Sequence, residues 1–206
     1  MSLSDHNSVS LKNIERMYKI HSLFYDATRW MFLWNRRSAI EKIGLEKGYV
    51  VLVVGCGTGY GFGQFLNVVG EKGRVIGVDY SKSMLDTARR KVEKAGWKNV
   101  QLVQADAAKY ETRGVDAVLY SYSLSMIPEW RESLKNSFKS LKKTGKIVII
   151  DFSEIKIFFL KQLFKWYFSK FGVDTSLPVM EEFRKYFKDV DYEGHFNSYI
   201  MRGVKN

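Results

Sequence analysis

Three glycines and two aspartates are the residues of this chain whose types and spacing best suit binding chemistry. The glycines stand at positions 55, 57 and 59, directly after the apolar run Val50 to Val54. Glycine lets a backbone turn sharply while a ligand lies against it, because no Cβ is in the way. Asp79 follows about 20 residues later, the distance at which an acid binds ribose hydroxyls. Asp106 can accept a hydrogen bond from an adenine amino group, so the set predicts a nucleoside-containing cofactor.

The spacing of the glycines distinguishes between the classes of cofactor that such a turn could bind. A dinucleotide fingerprint requires G-x-G-x-x-G, but its third glycine would fall on Tyr60, Phe62 or Gln64, depending on the starting glycine. No G-K-[ST] follows, which argues against a nucleoside triphosphate loop. The observed G-x-G-x-G leaves two interpretations open: a cofactor turn, or a glycine-rich turn without a ligand.

An alternation of strands and helices must position these residues. Apolar runs predict parallel strands, and periodic segments between them predict helices, with Ser81 as an N-cap. Such an alternation is typical of a doubly wound α/β sheet. The predicted strands are Val50–Val54, Arg74–Val78, Val100–Gln104, Val115–Tyr120 and Lys146–Ile150, with a closing pair at Val190–Phe196 and Ser198–Val204. The predicted helices are Gly61–Val69, Lys82–Ala95, Glu129–Leu141 and Leu177–Lys188, preceded by two helices within 11–43 that are joined near Asp26 to Arg29.

Composition indicates one folded domain over residues 1–206. The chain has 46% hydrophobic and 27% charged residues, which is typical of a folded protein. Its single cysteine, Cys56, excludes an internal disulfide and fits the glycine turn as a small residue rather than a nucleophile. The histidines, His6, His21 and His195, lack metal-ligand spacing, so no metal is expected.

The net charge of +11 requires explanation. Nucleic acid, an anionic membrane surface and plain solubility are the alternatives. No apolar leader and no run of about 20 apolar residues occurs. We therefore expect a cytoplasmic protein, either soluble or peripheral on the inner membrane face.

One segment, 153–176, favours the membrane alternative. Lys161, Gln162, Lys165 and Ser169 would share one helical face, and most neighbouring residues are apolar or aromatic. Lysines combined with aromatic residues are typical of helices at a membrane surface. The alternative is a helix packed on the sheet with its lysines in water.

The whole chain resembles class I S-adenosylmethionine-dependent methyltransferases. The resemblance lies in V-L-V-V-G-C-G-T-G, G-V-D-Y-S-K-S-M-L, Q-A-D-A and L-K-K-T-G-K-I-V-I-I-D-F. More narrowly, Y-D-A-T-R-W-M-F-L-W at 25–34 and S-Y-S-L-S-M-I-P-E-W at 121–130 resemble bacterial N-methyltransferases of phosphatidylethanolamine or diacylglyceryl-homoserine. Quinone methyltransferases are close relatives of these enzymes. The turn Lys143-Thr144-Gly145 departs from the family's usual Pro-Gly-Gly.

The resemblance implies a seven-stranded, mostly parallel sheet with one antiparallel closing strand and a helical N-terminal lid over 11–43. It implies S-adenosyl-L-methionine as cofactor and an amine headgroup of a membrane lipid as acceptor. The cofactor-binding residues expected from it are Gly55, Cys56, Gly57, Thr58, Gly59, Asp79, Tyr80, Met84, Asp106, Ala107, Ser121, Tyr122 and Trp30.

The acceptor would be an unprotonated amine that attacks the cofactor's methyl carbon in line and displaces the neutral sulfur leaving group, so alignment and desolvation matter more than a strong base. Tyr25, Tyr18 and Tyr122 are the candidates to hold this amine, and His21 is the candidate to relay its proton. Aromatic faces of Tyr18, Tyr25 and Trp30 attract a sulfonium ion, although aromatic residues on such helices also serve simply as core.

Three other functions compete with this one. A quinone-ring C-methyltransferase would need a base to deprotonate a phenol. A nucleic-acid methyltransferase is disfavoured because Ser121-Tyr122-Ser123-Leu124 replaces an Asp-Pro-Pro-Tyr type motif and no second cysteine exists. A non-catalytic membrane-binding module would require a ruined cofactor site, whereas these motifs are intact.

Overall fold

The computed structural model of the protein describes residues 33–154, 162, 166 and 172–206. Its helices are α1 (Leu33–Ile43), α2 (Phe62–Val69), α3 (Lys82–Ala95), α4 (Trp130–Ser140) and α5 (Val179–Arg184), with a short 3₁₀ turn at Leu124–Met126. Its strands are β1 (Val50–Val54), β2 (Arg74–Asp79), β3 (Val100–Gln104), β4 (Val115–Ser121), β5 (Leu141–Phe152), β6 (Phe187–Gly194) and β7 (Ser198–Lys205).

All seven strands form one sheet in the order β3-β2-β1-β4-β5-β7-β6. Strands β1 to β5 pair in parallel, and β7 is antiparallel to both β5 and β6. The predicted doubly wound, seven-stranded α/β class with one antiparallel closing strand is confirmed. The strand order reverses between β1 and β4, and this is the position where open α/β sheets bind ligands.

Alternating residues of β1 supply two separate cores, because successive side chains of a strand face opposite sides. Val51 and Val53 pack with α1, α2 and α3 on one face of the sheet. Leu52 and Val54 pack with α4 and α5 on the other face. The central strands are therefore buried on both faces, as their continuous apolar runs predict.

Local signals for helix ends agree with the structure. The Ser81 hydroxyl accepts a hydrogen bond from the Met84 amide at 3.4 Å, which confirms the predicted N-cap of α3. Gly96 ends the same helix in the left-handed conformation, with φ of 67°.

The helix predicted over Leu177–Lys188 is wrong in its length. Helix α5 ends at Arg184, and Phe187 already belongs to β6, where it pairs with Lys205 of β7. The ring centroids of Phe183 and Phe187 lie 4.6 Å apart. Burial of these rings, together with the hydrogen bonds between β6 and β7, therefore stabilises a strand at Phe187 more than a longer helix would.

Strand β5 is longer than the predicted Lys146–Ile150. Its ladder with β7 continues through Asp151 and Phe152, and a pairing of Val115 with Leu141 extends its start. These pairings come from strands distant in the chain, which a local apolar pattern does not reveal.

Several predictions lie outside the described residues. They concern the predicted lid residues Tyr18, His21, Tyr25 and Trp30, and Lys161, Lys165 and Ser169 of the segment for which membrane contact or packing on the sheet was predicted. An anionic membrane partner and a cytoplasmic location likewise stay predictions. Within the described part of the chain, no helix is both long and apolar enough to cross a membrane.

Candidate functional site

A cavity of about 1040 Å³, counted with its open mouth, lies at the carboxyl ends of the central strands. Its lining follows the strand order of the sheet. Asp106 follows β3, Asp79 ends β2, and Gly55 to Gly57 follow β1. Ser121 ends β4, and Tyr122 and Ser123 follow it. The residues that the sequence singled out separately therefore converge on one cavity.

The three glycines of the turn have different surroundings. A Cβ on Gly55 would collide with the Ser123 side chain, and one on Gly59 would lie 2.8 Å from the Phe62 ring. Both glycines therefore allow close packing within the protein. A Cβ on Gly57 would meet nothing within 4 Å, and Gly57 has a φ of 54° and lines the cavity. Gly57 thus leaves room for a ligand to approach the backbone.

The Asp79 carboxylate is tied to this turn. One oxygen accepts a hydrogen bond from the Gly57 amide at 2.7 Å, and the other accepts one from the Ser81 amide at 2.9 Å. Burial raises the pKa of Asp79, and the hydrogen bonds from these amides act in the opposite direction. The Tyr80 amide is a third donor to this carboxylate. The two oxygens together offer about four acceptor positions, so acceptor capacity remains for a ligand hydroxyl.

Residues after β2 and β3 complete this side of the cavity. Asp106 accepts a hydrogen bond from the Ala108 amide at 2.9 Å, and its side chain is 23% exposed. Ala107, Tyr80 and the buried Met84 also line the cavity. An acceptor and an apolar surface at this place suit a purine ring.

The side chains of Cys56 and Thr58, between the glycines of the turn, are both buried. Burial, together with the Asp79 charge, raises the pKa of the Cys56 thiol well above its ordinary value, which leaves it protonated and a poor nucleophile. Thr58 is fully buried, and its hydroxyl accepts a hydrogen bond from Lys91 at 3.1 Å. Thr58 and Gly59 were predicted cofactor contacts, but neither lines the cavity.

The end of β4 contains a backbone conformation that is rare for tyrosine. Tyr122 has a φ of 54°, is buried, and donates its amide to the Ile150 carbonyl at 2.7 Å. Its ring packs on Phe152 at 4.8 Å. A left-handed non-glycine residue costs on the order of 1–3 kcal/mol, and such strain is concentrated at functional sites. The neighbouring Ser121 hydroxyl oxygen is buried without a hydrogen bond to any described residue.

The cavity wall contains one cation that was not predicted from the sequence. Arg36 of α1 is only 7% exposed, and its guanidinium lies 5.6 Å from the Tyr60 ring centroid and 5.9 Å from that of Tyr122. Among the described residues that line the cavity, it is the one with a positive charge. The adjacent Arg37 is exposed and pairs with Glu41 at 3.5 Å. Nothing in the sequence distinguishes these two arginines, because only the docking of α1 buries one of them.

Three further lining residues that were not predicted from the sequence are apolar. Met126, Ile127 and Pro128 form the cavity wall after β4. The described residues contain no group of three or more His, Cys, Asp or Glu side chains that could hold a metal ion.

Comparison with known proteins gives one family. The model of the ubiE/COQ5 methyltransferase family matches residues 7–190. A demethylmenaquinone methyltransferase of Lactococcus lactis is 33% identical over 138 residues, which cover 66% of this chain and 54% of the relative. The chain thus spans little more than half the length of that relative.

Solved structures are similar in fold. Phosphoethanolamine N-methyltransferase 2 of Haemonchus contortus, in complex with phosphomonomethylethanolamine and S-adenosylhomocysteine, has a TM-score of 0.73 at 19% identity, covering 84% of this chain and 52% of that one. A SAM-dependent methyltransferase of Aquifex aeolicus has a TM-score of 0.65 at 20% identity, covering 82% and 89%.

Proposed function

Because this chain belongs to the ubiE/COQ5 methyltransferase family, we propose that it is an S-adenosyl-L-methionine-dependent methyltransferase and that it methylates an apolar acceptor with a quinone-type ring. The relatives named demethylmenaquinone methyltransferases support this acceptor class. The observation that carries the proposal is the division of the cavity along the sheet edge. Carboxylates lie at its β2 and β3 side, and apolar and aromatic side chains lie at its β4 side.

The β1 to β3 side of the cavity fits the cofactor. Asp79 would accept hydrogen bonds from the ribose hydroxyls, and Asp106 would accept one from the adenine amino group. Met84 supplies an apolar surface for the purine, and the open space beside Gly57 admits the ligand to the backbone. When bound, the cofactor supplies an electrophilic methyl group on a positively charged sulfur.

Arg36 would hold the carboxylate of the cofactor's amino-acid part. A guanidinium can donate two parallel hydrogen bonds to a carboxylate, and such a pairing is stronger in a partly buried site than in water. Arg36 is 7% exposed and lines the same cavity as Gly55 and Gly57.

The β4 side would bind the acceptor. Met126, Ile127 and Pro128 offer an apolar surface, which favours a flat or chain-like apolar group and excludes water. The buried Ser121 hydroxyl and the Tyr122 side chain supply the polar contacts that would orient an oxygen or nitrogen of the acceptor.

A second candidate acceptor is the amine of a membrane lipid, which the sequence analysis favoured. One observation supports it: the described lining on the β4 side contains no histidine and no carboxylate. A ring acceptor needs a base to activate its carbon, whereas an unprotonated amine does not. Methylation of phosphatidylethanolamine or diacylglyceryl-homoserine therefore remains the alternative to the quinone acceptor.

Parallel incubation with isotope-labelled S-adenosylmethionine tests the acceptor class. The protein is offered demethylmenaquinone, phosphatidylethanolamine and diacylglyceryl-homoserine in detergent, and mass spectrometry follows the labelled methyl group. We expect label in the quinone. Label in a lipid amine alone would replace the quinone proposal with the second candidate.

The pH dependence provides an independent criterion. The rate with an amine acceptor should rise with pH toward the pKa of that amine, because only the unprotonated form attacks. The rate with a ring acceptor should instead follow the pKa of a group on the enzyme.

A further inference from the structure

A buried carboxylate at the end of β5 holds the loop that follows β4. Asp151 is fully buried, and one of its oxygens accepts hydrogen bonds from the Ser125 hydroxyl at 2.7 Å and from the Phe152 amide at 2.8 Å. Its other oxygen accepts one from the Ser125 amide at 2.8 Å. The Leu124 amide is a further donor to this carboxylate. Four donors therefore converge on two acceptor oxygens, an arrangement that a carboxylate satisfies and an amide side chain does not.

Ser125 links this carboxylate to further parts of the structure. Its carbonyl accepts a hydrogen bond from the Asp174 amide at 3.0 Å. The next residue, Met126, lines the cavity wall after β4. The Ser125 position therefore affects both that wall and the chain near Asp174.

The same end of β5 also restrains Tyr122. Its amide donates to Ile150, and its ring packs on Phe152, so the two neighbours of Asp151 both contact it. A strained left-handed residue persists only where its surroundings determine it by several contacts. Together, Ile150 to Phe152 hold both ends of the segment Tyr122 to Ser125.

We propose that Asp151 is a positioning residue which, through Ser125, holds residues 122–126 in the conformation that binds the methyl acceptor. This inference rests on the proposed binding of the acceptor at the β4 side. Asp151 does not line the cavity, so it acts on the acceptor through the loop and not by contact.

Steady-state kinetics of Asp151→Asn and Ser125→Ala test this role. We expect kcat/KM for the acceptor to fall on the order of tenfold or more, because hydrogen bonds to a charged group are lost. The affinity for S-adenosylhomocysteine should stay within about twofold, since the lost contacts lie on the acceptor side. The double variant should be little worse than Asp151→Asn, because both changes remove one shared interaction. Ser125→Thr, which keeps the hydroxyl, should recover most of the activity.

Ser133→Ala is the matched control, on the same face of the sheet as Asp151 but in the core beneath α4. The Ser133 hydroxyl lies 2.8 Å from that of Tyr120 in β4, and both residues are buried away from the cavity. This control should lower the melting temperature without changing acceptor kinetics. Equal losses of stability and of acceptor kcat/KM in Ser133→Ala and Asp151→Asn would overturn the proposal, since a merely structural role predicts that result.

Amide hydrogen exchange separates this inference from the proposed function. In the complex with S-adenosylhomocysteine, Asp151→Asn should speed exchange in the peptide containing residues 122–127 and leave the glycine turn at 55–59 unchanged. Unchanged exchange at 122–127 would refute positioning by Asp151. Faster exchange in a protein that transfers no methyl group to any acceptor tested would instead refute the proposed function alone.

Discussion

The Asp79 carboxylate accepts a 2.7 Å hydrogen bond from the Gly57 amide, which ties the end of β2 to the turn after β1. In the proposed function the same side chain would also bind the cofactor ribose, so one carboxylate would both shape the turn and contact the ligand. The charge of Asp79 is thus placed beside the one glycine of the turn that leaves space for a ligand.

Asp79→Ala should weaken S-adenosylmethionine binding at least about tenfold, because two charge-assisted hydrogen bonds contribute about 1.5–3 kcal/mol each. Calorimetric titration measures the change, and Asp86→Ala on the exposed side of α3 is the control. An unchanged affinity would remove Asp79 from the site, and equal binding of NAD would contradict the assigned cofactor class.

Gly57→Ala should abolish most cofactor binding, because its Cβ would occupy the space beside the turn in which the ligand lies. Gly96→Ala is matched to it, since Gly96 has a φ of 67° and its added Cβ also meets nothing within 4 Å, but it ends α3 away from the cavity. Both variants should lose about 1–2 kcal/mol of stability from the left-handed backbone. Thermal melts and calorimetry together separate strain from ligand exclusion, and equal cofactor affinities in the two variants would contradict this account.

Arg36→Gln should lower the affinity for S-adenosylhomocysteine on the order of tenfold or more, because a charge-assisted contact to its carboxylate is lost. The affinity for 5′-methylthioadenosine, which lacks that carboxylate, should not change. Arg37→Gln on the exposed face of α1 serves as the control. Equal losses for both ligands would mean that Arg36 only supports the fold of the cavity.

Tyr122→Phe should reduce the turnover of the acceptor while cofactor affinity stays nearly constant, because the hydroxyl is expected to contact the acceptor. The ring packing on Phe152 and the amide bond to Ile150 remain in this variant. A normal rate with each acceptor would restrict Tyr122 to a role in packing.

Asp151 gives a pH dependence of stability with a defined sign. Burial raises its pKa from 3.8 to about 6, against the hydrogen bonds from Ser125, Phe152 and Leu124. Between these pH values the folded protein keeps a proton that the unfolded chain has lost, so the contribution of Asp151 to stability falls as pH rises. The nearby Tyr199 is buried, and its raised pKa keeps it neutral throughout this range.

Asp151→Asn lacks this titration. The free energy of unfolding of Asp151→Asn and of the parent is measured by urea denaturation. The value for the variant minus that for the parent should increase by on the order of 3 kcal/mol from pH 4 to pH 7. Other titrating groups cancel in this difference. A difference that stays constant with pH would show that Asp151 does not titrate in this window.

The sequence by itself determined the elements whose causes are local. The apolar run of β1, the glycines after it, the acid that ends β2 and the Ser81 cap all lie within short segments, and their patterns reflect the conformations of those segments. Asp79 and Asp106 could be assigned to one site because parallel strands bring their carboxyl ends to one edge.

Only the tertiary structure decided the contacts between distant segments. Gly55 packs against Ser123 because β1 and β4 are neighbours in the sheet, although 65 residues separate Val50 from Val115. Tyr122 has a left-handed backbone conformation, and Asp151 accepts a hydrogen bond from Ser125. Arg36, and not Arg37, lines the cavity. In each case a residue of another element restrains the side chain or the backbone. These conformations and contacts depend on which elements pack against each other, because burial at their contacts outweighs the local conformational preference of each residue. The side chains that line the β4 side of the cavity therefore cannot be derived from sequence spacing.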